Sequence, residues 1–164
     1  GLTGMGLALL ASLGGGASST LDNAVANSIA AGVSYAVAAG NGNRGGRQDD
    51  ACKYSPARVA AAMTISATNS SDAKPSWANY GNCVDWFAPG VSITSAWSTG
   101  DGDLRTISGT SMATPHTAGV AALYLQSNPG ASPSTVRDAL YNATTKSIVT
   151  SSNTANNHLL FTSY

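Results

Sequence analysis

Apolar positions along the chain follow two rhythms. Residues 7–11 and 33–39 are short, nearly continuous apolar runs, each closed by glycine, as in a parallel strand buried on both faces. Between them Leu21, Ala24, Val25, Ser28 and Ile29 recur at helical spacing, with Ser19 or Thr20 as cap and Gly32 as stop. Strand, helix and strand in about thirty residues make a βαβ unit, so the pattern predicts an α/β fold with a parallel sheet covered on both faces. Ligands of such sheets lie beyond the carboxyl ends of the strands, here residues 12–14 and Gly40-Asn41.

The rest of the chain extends this picture. Residues 63–67 predict another strand, 69–75 a turn region and 77–89 an aromatic, irregular stretch. Residues 91–97 and 104–107 predict a hairpin around Gly100-Asp101-Gly102. Segment 112–125 predicts a buried helix, with Pro115 in its first turn, where a missing N–H costs nothing. Ser132-Pro133 supplies the cap and first-turn proline of a helix over 134–142, with Val136, Ala139 and Leu140 facing inward. Residues 159–161 read as an edge strand. Neither an internal repeat nor a linker marks a second domain.

Composition narrows the function classes. A chain of 164 residues with 43% hydrophobic content suits one domain with a real core. Eight basic and eight acidic residues give zero formal net charge. Arg44 and Arg47 sit among glycines beside Asp49 and Asp50, so no basic run points to nucleic acid. No apolar run approaches membrane-spanning length. Residues 5–13 resemble a signal-peptide core, but no basic residue precedes them, and they read as a strand instead. Low charge with abundant Ala, Gly, Ser, Thr and Asn is typical of secreted enzymes. Cys52 and Cys83 make a poor zinc site by themselves; buried thiols and a single disulfide both remain open.

Candidate chemistry concentrates in residues 109–116, Gly-Thr-Ser-Met-Ala-Thr-Pro-His. A turn ending in Gly109 delivers Ser111 to the positive end of a helix, beside amides without intrahelical partners. A nucleophilic serine uses such donors for its oxyanion. The plainer reading of Thr110 and Ser111 is a pair of N-caps. The whole octapeptide, however, resembles the nucleophile motif of the subtilases, the subtilisin-like serine proteases. Ser12-Leu13-Gly14-Gly15, Ala38-Ala39-Gly40-Asn41, and Tyr80-Gly81 through Phe87-Ala88-Pro89-Gly90 resemble further segments of that family, in the family's order. The likeness is to its proteinase K and aqualysin-like branch and runs from about Leu9 to the carboxyl terminus.

The resemblance implies a subtilisin-like three-layer α/β fold, with a parallel sheet between helices, and a secreted serine endopeptidase. Ser111 would attack the scissile carbonyl, with its own N–H and the Asn41 amide as oxyanion donors. Ser12, Leu13 and Gly14 would pair with the substrate backbone as an added strand. Ala38, Ala39 and Gly40 would wall a pocket roomy enough for a large apolar or aromatic side chain. Cys52 and Cys83 fall where aqualysin-like members form a disulfide. Asp85, with the carbonyls of Ala60 and Ala62, falls where proteinase K-like members hold structural calcium, an ion suited to hard oxygen ligands. The plainer reading of Asp85 is a carboxylate capping a turn.

A serine of this kind needs a base and an aspartate to orient it. In the family both precede the serine, in Asp-Ser/Thr-Gly and His-Gly-Thr-His motifs, and neither motif occurs here. The two histidines, His116 and His158, both follow Ser111. The expectation is therefore that residues 1–164 are the C-terminal portion of a subtilase catalytic domain. Its partners would be a polypeptide substrate and the missing N-terminal part, with no role for nucleic acid or membrane. By itself it would not cleave, and the alternative is an incomplete or inactive relative that only binds peptide or a partner chain. Thr117 departs from the family's usual small aliphatic residue, Leu10-Ala11 replaces a polar pair, and the 42–50 loop is long. A rival α/β-hydrolase reading takes Ser111, Asp138 and His158 in that fold's chain order, but places its acid inside a helix.

Overall fold

The computed structural model describes residues 6–43 and 45–162; the sequence readings that touch residues 1–5 and Arg44 lie outside them. The elements run β1 (Leu7–Ala11), β2 (Gly15–Gly16), α1 (Ser19–Ala30), β3 (Val33–Ala38), β4 (Tyr54–Ser55), β5 (Met63–Thr68) and β6 (Trp86–Pro89). Then follow β7 (Ile93–Ala96), β8 (Leu104–Ile107), α2 (Thr110–Ser127) and α3 (Pro133–Ala143). A parallel sheet in the order β1-β3-β5-β6 forms the centre. β7 and β8 make the expected hairpin, with Ile93 opposite Ile107, and β2 pairs with β4.

Alternation along the strands builds the layers. Ala36, Met63, Ile65, Trp86 and Ala88 pack against Val120, Ala121 and Leu125 of α2 and Val136 and Leu140 of α3. Val37, on the opposite face, packs against Val25 and Ile29 of α1. Helix, sheet and helix thus make three layers, an α/β arrangement. Thr117 gains a reason for its departure: Trp86 donates its indole N–H to the Thr117 hydroxyl at 3.1 Å inside this core. Cys52 and Cys83, 31 positions apart, form a disulfide.

Several expectations need correcting. β6 lies inside the stretch read as irregular: four residues between polar neighbours show no periodicity, yet Trp86, Phe87 and Ala88 are fully buried. Leu159 makes bridges to Phe87 and Thr145, not a regular edge strand. β1 is parallel as expected but not buried, because it ends the sheet; Leu7 and Leu10 are half exposed, at 51% and 50%. The cap of α1 is Ser18, whose hydroxyl accepts from the Leu21 amide. α2 begins at Thr110, which moves Pro115 beyond the first turn. Its missing N–H leaves the Ser111 carbonyl without a helical donor, and the Ser12 hydroxyl donates to that carbonyl at 3.0 Å.

Candidate active site

The carboxyl ends of β1 and β3 and the first turn of α2 meet around a cleft of about 1190 Å³. Ser12, Leu13, Gly14, Ala38, Ala39, Gly40, Asn41 and Ser111 all line it. Sequence reasoning had collected these residues from three segments, and the fold brings them together. Gly90 lets the sheet approach α2: a Cβ there would lie 2.6 Å from Ala67 Cβ and 2.8 Å from the Gly109 carbonyl. Gly109 also donates its N–H to the Gly90 carbonyl at 2.8 Å, fixing the turn before the serine.

Thr110 and Ser111 do not serve as N-caps. The cap residue is Gly109, with no side-chain capping bond. The Ser111 hydroxyl donates to the Ser12 carbonyl at 2.9 Å while Ser12 donates back to the Ser111 carbonyl, so β1 and α2 hold each other at the cleft. Thr110, which the sequence suggests only as a cap, orients Asn41: its N–H and its hydroxyl each donate to Asn41 Oδ1 at 2.9 Å. The same hydroxyl accepts from the Gly40 amide at 3.1 Å. A carboxamide held by its oxygen presents its NH₂ elsewhere, and Asn41 Nδ2 has no partner among the described residues. Of the first amides of α2, Thr110 N is taken by Asn41, and Met112 N and Ala113 N by the Gly109 carbonyl. Ser111 N carries no bond among the described residues.

Neither histidine reaches the serine. His116 Nδ1 bonds the Met112 carbonyl at 2.9 Å on its own helix. His158 stacks edgewise on Tyr141, with ring centroids 5.4 Å apart, and accepts the Ser147 amide at Nδ1. Burial, and then the nearby Lys146 charge, pushes its pKa below the ordinary histidine value. Asp138 is exposed on α3. The Ser111-Asp138-His158 set therefore does not assemble.

The second group of predicted residues sits at the opposite ends of the strands. Asp85 precedes β6, while Ala60 and Ala62 precede β5, and all three border one small cavity. Arg137 of α3 closes it, pairing with Asp85 Oδ1 through one nitrogen and donating to the Ala60 carbonyl at 2.7 Å through the other. Asp85 Oδ2 accepts the Thr64 amide at 2.7 Å. Burial raises the Asp85 pKa, while Arg137 and the Thr64 amide act against that rise. A cation is thus already supplied by the chain, with Arg137 holding both Asp85 and the Ala60 carbonyl. The donors as arranged do not fit a calcium ion unless Arg137 withdraws.

Fold and cleft define an α/β protein that presents a serine at a helix amino terminus above the carboxyl ends of parallel strands. The Subtilase family profile matches residues 10–161. The extracellular serine proteinase of Thermus sp. (strain Rt41A) is 57% identical over 154 residues, covering 93% of this chain and 36% of that protein. The alkaline serine exoprotease A of Vibrio alginolyticus is 53% identical, covering 92% of this chain and 27% of that protein. The crystal structure of a cold adapted subtilisin-like serine proteinase superposes with TM-score 0.88 at 49% identity, over 94% of this chain and 54% of that one. The chain belongs to the subtilase family. It spans about a third of the length of these curated relatives, or less.

Proposed function

We propose that this chain carries the nucleophile, oxyanion donors and substrate cleft of a subtilisin-type serine endopeptidase. The observation that carries the reading is the pair of open donors, Ser111 N and Asn41 Nδ2, beside the Ser111 hydroxyl. Ser111 Oγ attacks the scissile carbonyl, its proton passing to a base, and the tetrahedral oxyanion takes both donors. Ser12, Leu13 and Gly14 pair with the substrate backbone as an added strand. Ala38, Ala39 and Gly40 wall the pocket for an apolar or aromatic side chain before the cleaved bond. The base and its aspartate come from polypeptide outside the described residues. The exposed leucines of β1, with Leu123 on α2, support an additional segment packing on that side. Secretion is supported by the relative named an extracellular serine proteinase, and a role for nucleic acid or membrane has no support in charge or hydropathy.

A second reading, that the chain alone only binds peptide or a partner chain, is favoured by the Ser111 hydroxyl donating to Ser12 and by both histidines being engaged elsewhere. The test is hydrolysis of peptide anilides by the chain, alone and mixed with a polypeptide bearing the family's Asp and His motifs. Cleavage after Phe only in the mixture, absent with Ser111→Ala, is the expected result. No cleavage in a mixture that forms a stable complex would leave the binding reading.

A further inference from the structure

We propose that Asn79 is a positioning residue that shapes the pocket walled by Ala38, Ala39 and Gly40 and thereby sets the preference for a large apolar side chain. This rests on the cleft being a peptide site. Asn79 is fully buried. Its Nδ2 donates to the Ala39 carbonyl at 2.9 Å, and its Oδ1 accepts the amides of Gly42 and Asp49, each at 2.9 Å. Its own N–H donates to the Gly40 carbonyl at 3.0 Å, and its carbonyl accepts the Ser66 hydroxyl at 2.7 Å. One carboxamide therefore ties the end of β3 to both ends of the 42–49 loop, whose Gly42, Asn43 and Arg47 line the same cleft.

Gly40 shows how closely wall and clasp are matched. Its φ of +100° favours glycine, and a Cβ there would lie 2.5 Å from Asn79 Nδ2. Removing the carboxamide frees three backbone groups at once, and each prefers water or a new partner to an empty position. The wall then has no reason to keep its present width. The loop itself keeps a second anchor, since buried Lys74 donates to Gln48 Oε1 and to the Ala78 carbonyl. Loss of Asn79 thus loosens the pocket without releasing the whole loop. Local sequence carries no sign of this role; it appears only when β3 and the chain before β6 are brought together.

The test titrates two peptides, acetyl-Ala-Ala-Pro-Phe and acetyl-Ala-Ala-Pro-Ala, into the wild-type chain and into Asn79→Leu by calorimetry. The wild type is expected to favour the Phe peptide by about tenfold or more, the scale at which an apolar pocket discriminates. Asn79→Leu is expected to reduce that ratio to about threefold or less, with the Ala peptide bound nearly as before. An unchanged ratio, or a parallel fall for both peptides, would overturn the positioning role. Should Asn79→Leu fail to fold, Asn79→Asp keeps both acceptor bonds but cannot donate to the Ala39 carbonyl. A partial loss of the ratio is expected there, and an unchanged ratio again counts against the proposal. Wild-type chain that binds neither peptide, or both equally, would instead refute the peptide-cleft reading on which it rests.

Discussion

At the carboxyl ends of β1 and β3 the donors of Ser111 and Asn41 stand open to a cleft, whereas at the amino ends of β5 and β6 Asp85 is closed in by Arg137 and Thr64. Both places gather polar groups from distant segments, and they differ in what is left over. A donor that faces an open cleft is completed by water until a ligand takes the water's place, so the open end is where substitution should change chemistry more than stability. A paired charge that is mostly buried has the reverse character, since removing one member strands the other.

The largest contrast comes from Ser111→Ala. In the mixture that supplies the base, turnover should fall by about 10⁴-fold or more, while unfolding free energy falls by about 1 kcal/mol or less, the worth of the single bond to the Ser12 carbonyl. Asp85→Ala should do the opposite. It leaves the buried Thr64 amide without its partner and frees an Arg137 side chain that already reaches solvent, and should lower unfolding free energy by about 2 kcal/mol, leaving the Phe-to-Ala binding ratio intact. A stability loss from Ser111→Ala comparable to that from Asp85→Ala would erase the distinction.

Calcium sharpens the same comparison. With Arg137 in place, chelator and added calcium should leave the melting temperature of the wild type unchanged. Arg137→Gln removes the internal cation and should make the melting temperature rise on adding calcium. A wild-type melting temperature that rises with calcium would show that the ion displaces Arg137, as the family resemblance alone implies.

The smallest effect lies away from both ends. His158 has a folded pKa below its unfolded value near 6.5, so the unfolded state binds more protons as pH drops through that value, and stability declines there. Between pH 7 and pH 5 the wild type should lose a little more stability than His158→Gln in parallel urea titrations. Equal losses would mean that burial and the Lys146 charge do not hold the His158 ring neutral in the folded chain.

How much of this was legible in the sequence depends on how far apart the cooperating groups lie. The βαβ unit was legible because two apolar runs closed by glycine bracket a helical pattern, and the cleft was legible because its residues sit at the ends of those runs. β6 was hidden because four residues carry too little pattern, though Trp86 and Phe87 anchor two separate parts of the core. The sequence suggests Thr110 as a cap, which it is not, and hides its role in orienting Asn41, since that bond spans 69 positions. Arg137 lies 52 positions from Asp85, and nothing in the spacing of α3 announces that its guanidinium reaches the start of β5. Pairings of that kind are decided by packing, which composition and periodicity do not encode.

The most direct measurement is the rate of fluorophosphonate labelling in the mixture carrying the Asp and His motifs, followed by intact mass and peptide mapping. The expected result is one adduct, on Ser111, formed about 10²- to 10³-fold more slowly when Asn41→Leu removes an oxyanion donor. An adduct on another residue, or a rate indifferent to Asn41→Leu, would contradict the assignment of the open donors beside Ser111 to catalysis.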